Sequence, residues 1–328
     1  MKVAVVIVTY DNLAGTIAQC LDALSRQTFP PTRIVVIDNA SPAGFPKQVL
    51  DDRRDVEFVQ NAENIGFAAA NNQALRMLED DMSIELVALL NPDTRPEPQW
   101  LEALVRAAEL HPDFDAFASR MMLAGTQDII DGLGDEYHVS GLAWRAFHGK
   151  RLRPEHLVER EVFGVCAGAG LYRLRALHNV GGFDAALFCY LEDVDLSFRL
   201  RRMGKRCLYV PSAIVWHVGG ESSRDNIDFR LYYGHRNMIR VYVKNMPTAL
   251  LLLTLPAHVC VNVIGLLRSV WRGDFAIVAR AKLHAIRDIE AVLKQRRHLQ
   301  RTATVGSRHL WPHLRKVPWR NIGAVGSQ

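Results

Sequence analysis

The chain has 328 residues, 49% apolar and 23% charged, a balance that fits a globular protein with one large core or two smaller ones and excludes wholesale disorder. Its five cysteines (Cys20, Cys166, Cys189, Cys207, Cys260) form no CxxC pair, so neither a zinc knuckle nor a disulfide framework is indicated and a reducing cytosol fits best. The net charge of +5 is uneven: residues 272–328 hold twelve Lys/Arg against three Asp/Glu, a local +9, which leaves residues 1–271 at −4.

Residues 2–10 are apolar, β-branched and short, with no small-residue cleavage site, and read as a buried strand, not a secretion signal. Further strands are predicted over 33–38, 56–60 and 86–91, with helices over 13–25 and 67–78, where apolar residues recur every three or four positions. This is a doubly wound α/β pattern, in which ligands sit at the carboxyl ends of the strands. Those ends carry Thr9-Tyr10-Asp11-Asn12, Asp38-Asn39-Ala40-Ser41 and Asn91-Pro92-Asp93. Neither GxGxxG nor GxxxxGK[ST] occurs, so a bound diphosphate needs some other neutralising group. Asp93, in a turn made by Pro92, is placed to hold a divalent cation, Mg2+ or Mn2+, that bridges phosphates.

A helix carrying Trp100, Leu101, Leu104, Val105 and Ala108 follows, and then 125–149 reads as an irregular loop region shaping an acceptor pocket. Small residues around Gly168 and Gly170 let a substrate or backbone come close. Glu192, Asp193 and Asp195 open a helix with Leu196 and Leu200 on its buried side and Gly204 near its end, and His217 stands 24 residues after Asp193. Acids in a first helical turn are favoured by the helix dipole, and Asp195 is spaced to pair with Arg199, so a structural role leads for Asp195.

Residues 248–267 contain no Asp, Glu, Lys or Arg, about the minimum length for spanning a bilayer core. Pro256, His258, Asn262 and the basic tail beyond weigh against a single span, and an interfacial or re-entrant hairpin bending at Pro256 is expected. Beyond it Phe275, Ile277, Val278, Ala281, Ile286, Ile289, Val292 and Leu293 alternate with Arg280, Lys282, Arg287, Lys294, Arg296 and Arg297. That pattern is a basic amphipathic helix for an anionic membrane surface, or one packed on the rest of the chain or a second subunit. No nucleic-acid-reading module accompanies it, and no nucleic-acid partner is expected.

Val8-Thr9-Tyr10, Val36 to Ser41, Asn64 to Asn72, Leu90 to Thr94, Gly181 to Asp184, Glu192 to Leu196, Gly204 and Trp216-His217, in this order, resemble the inverting family 2 glycosyltransferases of the GT-A fold, and most nearly their rhamnosyltransferase-like branch. The resemblance covers about residues 3–245. It implies a Rossmann-like mixed sheet flanked by helices, a catalytic domain over 1–245 divided into a nucleotide-binding half (1–95) and an acceptor half (96–245), and a membrane-associating helical segment over 246–328. It implies that Tyr10 and Asp38 contact the base, and that Thr9, Asn39, Asn64, Gly66, Phe67, Asn71 and Asn91 lie at the nucleotide-sugar. Asp93 is the implied metal ligand, with Asn91 where many relatives have a first aspartate, and His217 completes the metal site. Gly168, Gly170 and Trp216 fall on the acceptor side.

The implied activity moves a sugar, L-rhamnose from dTDP-rhamnose, to a polyprenyl-linked glycan in cell-envelope polysaccharide synthesis. It places the protein, peripheral or monotopic, at the cytoplasmic face of the inner membrane. Asp193 is the expected base and Glu192 its neighbour, orienting the acceptor or raising the aspartate's proton affinity. A UDP-hexose donor and a catalytically silent membrane-bound scaffold remain as alternatives, and the oligomeric state is open, a homo-oligomer included. A sugar-1-phosphate nucleotidyltransferase is disfavoured because no early Gly-rich, Arg/Lys-containing phosphate loop is present.

Overall fold

The computed structural model describes residues 1–11, 14–218 and 227–316; Asn12 of the first strand end and 317–328 of the basic tail lie outside the described residues. The first half runs β1 (Lys2–Thr9), α1 (Ala14–Ser25), β2 (Arg33–Asp38), β3 (Val56–Gln60), α2 (Phe67–Met77) and β4 (Ile84–Leu90). Its four strands are parallel, in the order β3-β2-β1-β4. Val3, Val5 and Ile7 enter one apolar cluster with α1, while Ala4, Val6 and Val8 enter a second with α2. Burial on both faces is why β1 reads as an unbroken apolar run and not as an alternation.

The second half continues with β5 (Thr94–Pro96), α3 (Trp100–Leu110), β6 (Ala116–Leu123), β7 (Ile130–Gly132), β8 (Asp135–Tyr137), β9 (Ala143–Arg145), β10 (Arg160–Val162), β11 (Ala169–Arg173), α4 (Leu174–Asn179), α5 (Glu192–Arg202) and β12 (Cys207–His217). Strand β11 lies antiparallel between β4 and β6, and β12 runs parallel to β6, so the sheet becomes mixed beyond β4. The 125–149 segment is more ordered than its sequence indicates: β7, β8 and β9 are three residues each. Strands this short show no periodicity to read.

The chain then forms α6 (Ile227–Asn245), α7 (Thr248–Arg272), α8 (Phe275–Arg287), α9 (Ile289–Thr302) and α10 (Ser307–Leu310). The expected hairpin at Pro256 is not formed, since α7 passes through it as one 25-residue helix. Proline forfeits a hydrogen bond there, and anchors on both sides hold the helix across it. Thr254 bonds Leu250 O (2.8 Å) and the Tyr242 hydroxyl (2.8 Å), while His258 Nδ1 donates to Ser140 O (2.7 Å) and stacks on Tyr242 at 3.8 Å. The basic stretch forms two helices meeting at Asp288, and part of its charge is used internally. Arg296 is buried and donates to Val243 O (2.7 Å) at the end of α6.

Candidate active site

The carboxyl ends of β1, β2 and β4 supply the first group of expected residues. Asp38 is fully buried and accepts from the Ser41 amide (3.3 Å) and hydroxyl, and Ser41 Oγ in turn accepts from Asp11 N (2.9 Å). Asn39 donates to Asn64 Oδ1 (2.8 Å) and accepts from Asn61 (3.1 Å) and Ile65 N (3.2 Å), while Asn64 Oδ1 also takes Gly66 N (2.9 Å). This asparagine lattice ties the end of β2 to the loop that starts α2. Thr9 Oγ1 is buried without a hydrogen-bond partner among the described residues, and Tyr10 is exposed beside it. Gly66 is required sterically: at φ 85°, a Cβ would stand 2.6 Å from the Phe188 ring. Phe67, the first residue of α2, is half-buried against the core.

Two expected residues serve packing. Asn71 is buried and donates back to Phe67 O within α2 (2.9 Å). Gly170 sits inside β11, where a Cβ would be 2.3 Å from Val165 Cγ1. Gly168, in contrast, receives Asn91 N on its carbonyl (2.9 Å). Trp216 donates from its indole to Glu97 Oε1 (2.6 Å).

Antiparallel pairing of β12 with β5 sets His217 opposite Thr94 and brings it to Asp93, with Nε2 to Oδ2 at 3.2 Å. His217 Nδ1 donates to Asp131 Oδ2 on β7 (3.0 Å). Asp131 is also gripped by Arg145 and lies 3.3 Å from His148. Burial opposes charge on His217, but the hydrogen bonds and charges of Asp131 and Asp93 outweigh it, and its pKa is pushed up to about 9. Burial likewise opposes the Asp131 charge, yet Arg145, His148 and His217 hold it well below the ordinary carboxylate range. Among the described residues no group of three or more His, Cys, Asp or Glu forms a ready cage for a cation. The Asp93–His217 pair would suit one once the imidazole proton at Nε2 has left, since such an ion takes one or two protein ligands plus phosphates and waters. Asp131 fixes the imidazole from behind, the usual arrangement for a ligating histidine.

Asp193, in the first turn of α5, accepts from Ala167 N (3.2 Å) and Val194 N (2.8 Å). Ala167-Gly168 is therefore held by Asp193 on one side and by Asn91 on the other, which brings the α5 acids and the Asn91–Asp93 turn around one short segment. Glu192 is buried, with no hydrogen-bond partner for Oε2 among the described residues, and burial followed by the charge of Asp193 drives its pKa well up. Asp135 on β8 is the same case: buried, Oδ2 without a partner among the described residues, pKa well up from burial and then from Asp193. Like charge in this cluster thus raises the proton affinity of Glu192 and Asp135. The approach to α5 is strained: Phe188, Tyr190 and Leu191 hold φ of 68°, 68° and 65°, each at a cost of about 1–3 kcal/mol.

Asp195 takes the structural role. It is fully buried and bonded by Arg199 Nε (2.8 Å), Lys244 Nζ (2.5 Å) and Asn245 Nδ2 (2.7 Å), joining α5 to α6. Burial raises its pKa, but Lys244 and Arg199 prevail and lower it from 3.8 to about 2. Asp195→Asn leaves Arg199 without a carboxylate and Lys244 with Asp184 alone (2.6 Å), and is expected to cost about 3–5 kcal/mol of stability, read by thermal unfolding. In the native protein the Asp195 contribution is complete above the unfolded-state value and disappears as pH falls through about 2.

Asp131, Asp135, Arg145 and His148 escaped the sequence reading. They lie in strands and turns too short for a period, and their partners Asp93, Asp193 and His217 are remote in the chain. Alternation of acids with apolar residues over Ile130 to Tyr137 is the one trace of them.

A parallel β3-β2-β1-β4 sheet that turns mixed beyond β4 is the GT-A architecture. The chain belongs to glycosyl transferase family 2, whose family model matches residues 4–181. It is 29% identical over 244 residues to N-acetylglucosaminyl-diphospho-decaprenol L-rhamnosyltransferase of Mycobacterium tuberculosis, covering 67% of this chain and 76% of that one. It is 30% identical over 203 residues to the pre-mycofactocin glycosyltransferase of the same organism, over 62% of this chain and 41% of that one. At the level of fold alone, it resembles GalNAc-T7 solved with UDP, GalNAc and Mn2+, with a TM-score of 0.56 and 16% identity over 74% of this chain. This chain spans 47% of that structure's length.

Proposed function

We propose that this family 2 transferase is a metal-dependent, inverting enzyme that moves L-rhamnose from dTDP-rhamnose to a polyprenyl-linked glycan in cell-envelope polysaccharide synthesis. The observation that carries the reading is the tie of Asp193 and of the Asn91–Asp93 turn to the same Ala167-Gly168 segment, with His217 paired to Asp93. The similarity to a decaprenol-linked rhamnosyltransferase supports the donor and the lipid-linked acceptor.

Asp93 and His217 would hold the divalent cation, Mg2+ or Mn2+, which supplies charge neutralisation for the leaving diphosphate. The buried lattice of Asp38, Asn39 and Asn64 fixes the floor for the nucleotide, and Tyr10 offers an exposed ring to the base. Asp193 takes the proton of the acceptor hydroxyl as its oxygen bonds to the anomeric carbon. The bond from that carbon to the phosphate oxygen breaks on the opposite face, and the nucleoside diphosphate leaves with the electron pair. One displacement inverts the configuration. Glu192, whose proton affinity burial and Asp193 raise, is the neighbour that orients the acceptor. The experiment is calorimetric donor binding, with dTDP-rhamnose and UDP-hexoses compared with and without Mg2+ or Mn2+. Metal-requiring binding of dTDP-rhamnose supports the reading, and metal-requiring binding of a UDP-hexose instead replaces the donor.

The face of α7 and α8 turned from the protein supports attachment to a membrane surface. Leu252, Leu253, Val259, Val263, Leu267, Val270, Trp271, Leu283 and Ile286 are exposed, while Leu250, Thr254 and His258 dock α7 on the catalytic domain. A helix docked along one stripe and apolar on the other lies in the interface at the cytoplasmic face of the inner membrane, peripheral or monotopic. Leu253→Glu with Trp271→Glu is expected to weaken co-sedimentation with anionic vesicles at least about tenfold. Undiminished co-sedimentation would remove this surface from the account.

A further inference from the structure

We infer that Asn237, with Arg236 beside it, is the positioning residue that holds the acid-bearing end of α5 in its working geometry. The inference rests on the reading of Asp193 as base. Asn237 lies on α6, is fully buried and touches neither Glu192 nor Asp193 through any bond the structure shows. Its amide Nδ2 instead faces three backbone carbonyls, Leu187 (2.9 Å), Cys189 (2.9 Å) and Tyr190 (2.8 Å). Its Oδ1 accepts from Arg236 Nε (3.0 Å), and Arg236 Nη2 donates to Ala186 O (3.0 Å) and Leu187 O (2.9 Å). The carbonyls of four residues between 186 and 190 thus converge on one amide and one guanidinium.

They converge because the backbone there is left-handed. Phe188, at φ 68° and ψ −69°, forms the rare, strained hand of γ-turn, closed by Cys189 N to Leu187 O at 2.9 Å. Tyr190 and Leu191 stay left-handed up to the first residue of α5, and Leu191 O accepts Asp195 N (2.9 Å). Such conformations persist only where the surroundings over-determine them. Without the Asn237 amide, three buried carbonyls lose a donor, and the relief is rotation of 188–191 toward negative φ, which swings Glu192 and Asp193. The same turn reaches the donor side: Phe188 O accepts Ala68 N of α2 (3.1 Å), the Phe188 ring covers Gly66, and it stacks on Tyr233 at 5.1 Å. Arg236 lies 4.6 Å above that Tyr233 ring. Asn237 therefore sets where the base stands relative to the donor-side helix.

The test compares full-length Asn237→Ala and Asn237→Asp with Thr254→Val, which removes a buried α6–α7 bond away from the turn. Sugar-transfer kinetics with dTDP-rhamnose and amide hydrogen exchange are measured on the folded fraction of each. Both Asn237 variants are expected to lose about 100-fold in kcat with donor KM unchanged, together with faster exchange of the Cys189 and Asp195 amides. Thr254→Val is expected to keep wild-type kcat and exchange at those amides. Wild-type protection of Cys189 and Asp195 in Asn237→Ala, or a kcat loss no larger than in Thr254→Val, overturns the inference. A wild-type protein inert with every donor overturns the reading of Asp193 instead, and the exchange data then decide by themselves whether Asn237 holds the turn.

Discussion

Asp193→Asn is expected to lower sugar transfer roughly 10³-fold, within the 10²–10⁴ that a positioned general base supplies, while donor binding and folding persist. The substitution keeps the volume and an oxygen able to accept from Ala167 N (3.2 Å), and gives up only the bond from Val194 N (2.8 Å) within the same first turn. What is lost is the ability to take a proton from the acceptor. Glu192→Gln makes the opposite case. Burial and the neighbouring Asp193 raise the proton affinity of Glu192, so the neutral amide stands close to its protonated form and transfer should fall less than about tenfold. Transfer kinetics on the two variants separate the roles. A large loss in Glu192→Gln with Asp193→Asn near wild type would exchange them.

Asp93→Ala is expected to weaken metal-supported donor binding by about 100-fold or more, leaving His217 with Asp131 alone and the diphosphate without its counter-charge. Asp131→Asn should give a smaller, graded loss of about 10–100-fold, because Asp131 orients the imidazole without itself facing the donor. Calorimetry with Mn2+ present and absent distinguishes the two. If both variants bind the donor as the wild type does, the cation is not held by this pair.

The fold of the first half was legible because its strands are buried on both faces and its helices repeat at three to four: the strand ends Thr9, Asp38 and Asn91 fall where the apolar runs stop. Asp93, Asp193 and His217 were singled out by the family resemblance, and the approach of His217 to Asp93 depends on β5 pairing with β12, which three residues of sequence do not announce. The Asp131–Arg145–His148 support was not legible, since Asp131 and Arg145 sit in three-residue strands, His148 in a turn, and Asp131 acts on His217, 86 positions along the chain. Pro256 misled for a physical reason: proline marks a break only where nothing holds the helix on either side, and Thr254 and His258 are both anchored. The strained turn before α5 was invisible because Phe188, Tyr190 and Leu191 are residues that rarely adopt positive φ. The Asn237 amide and the Arg236 guanidinium face the carbonyls that this conformation turns inward.

The central claim is a metal-requiring, single-displacement transfer with Asp193 as base. The direct measurement incubates the purified protein with dTDP-rhamnose and a polyprenyl diphosphate-linked N-acetylglucosamine, and reads the anomeric configuration of the product by NMR. The account predicts an inverted product that forms with Mg2+ or Mn2+, stops with a chelator and is nearly absent with Asp193→Asn. A product of retained configuration, or transfer undiminished in Asp193→Asn, would contradict it.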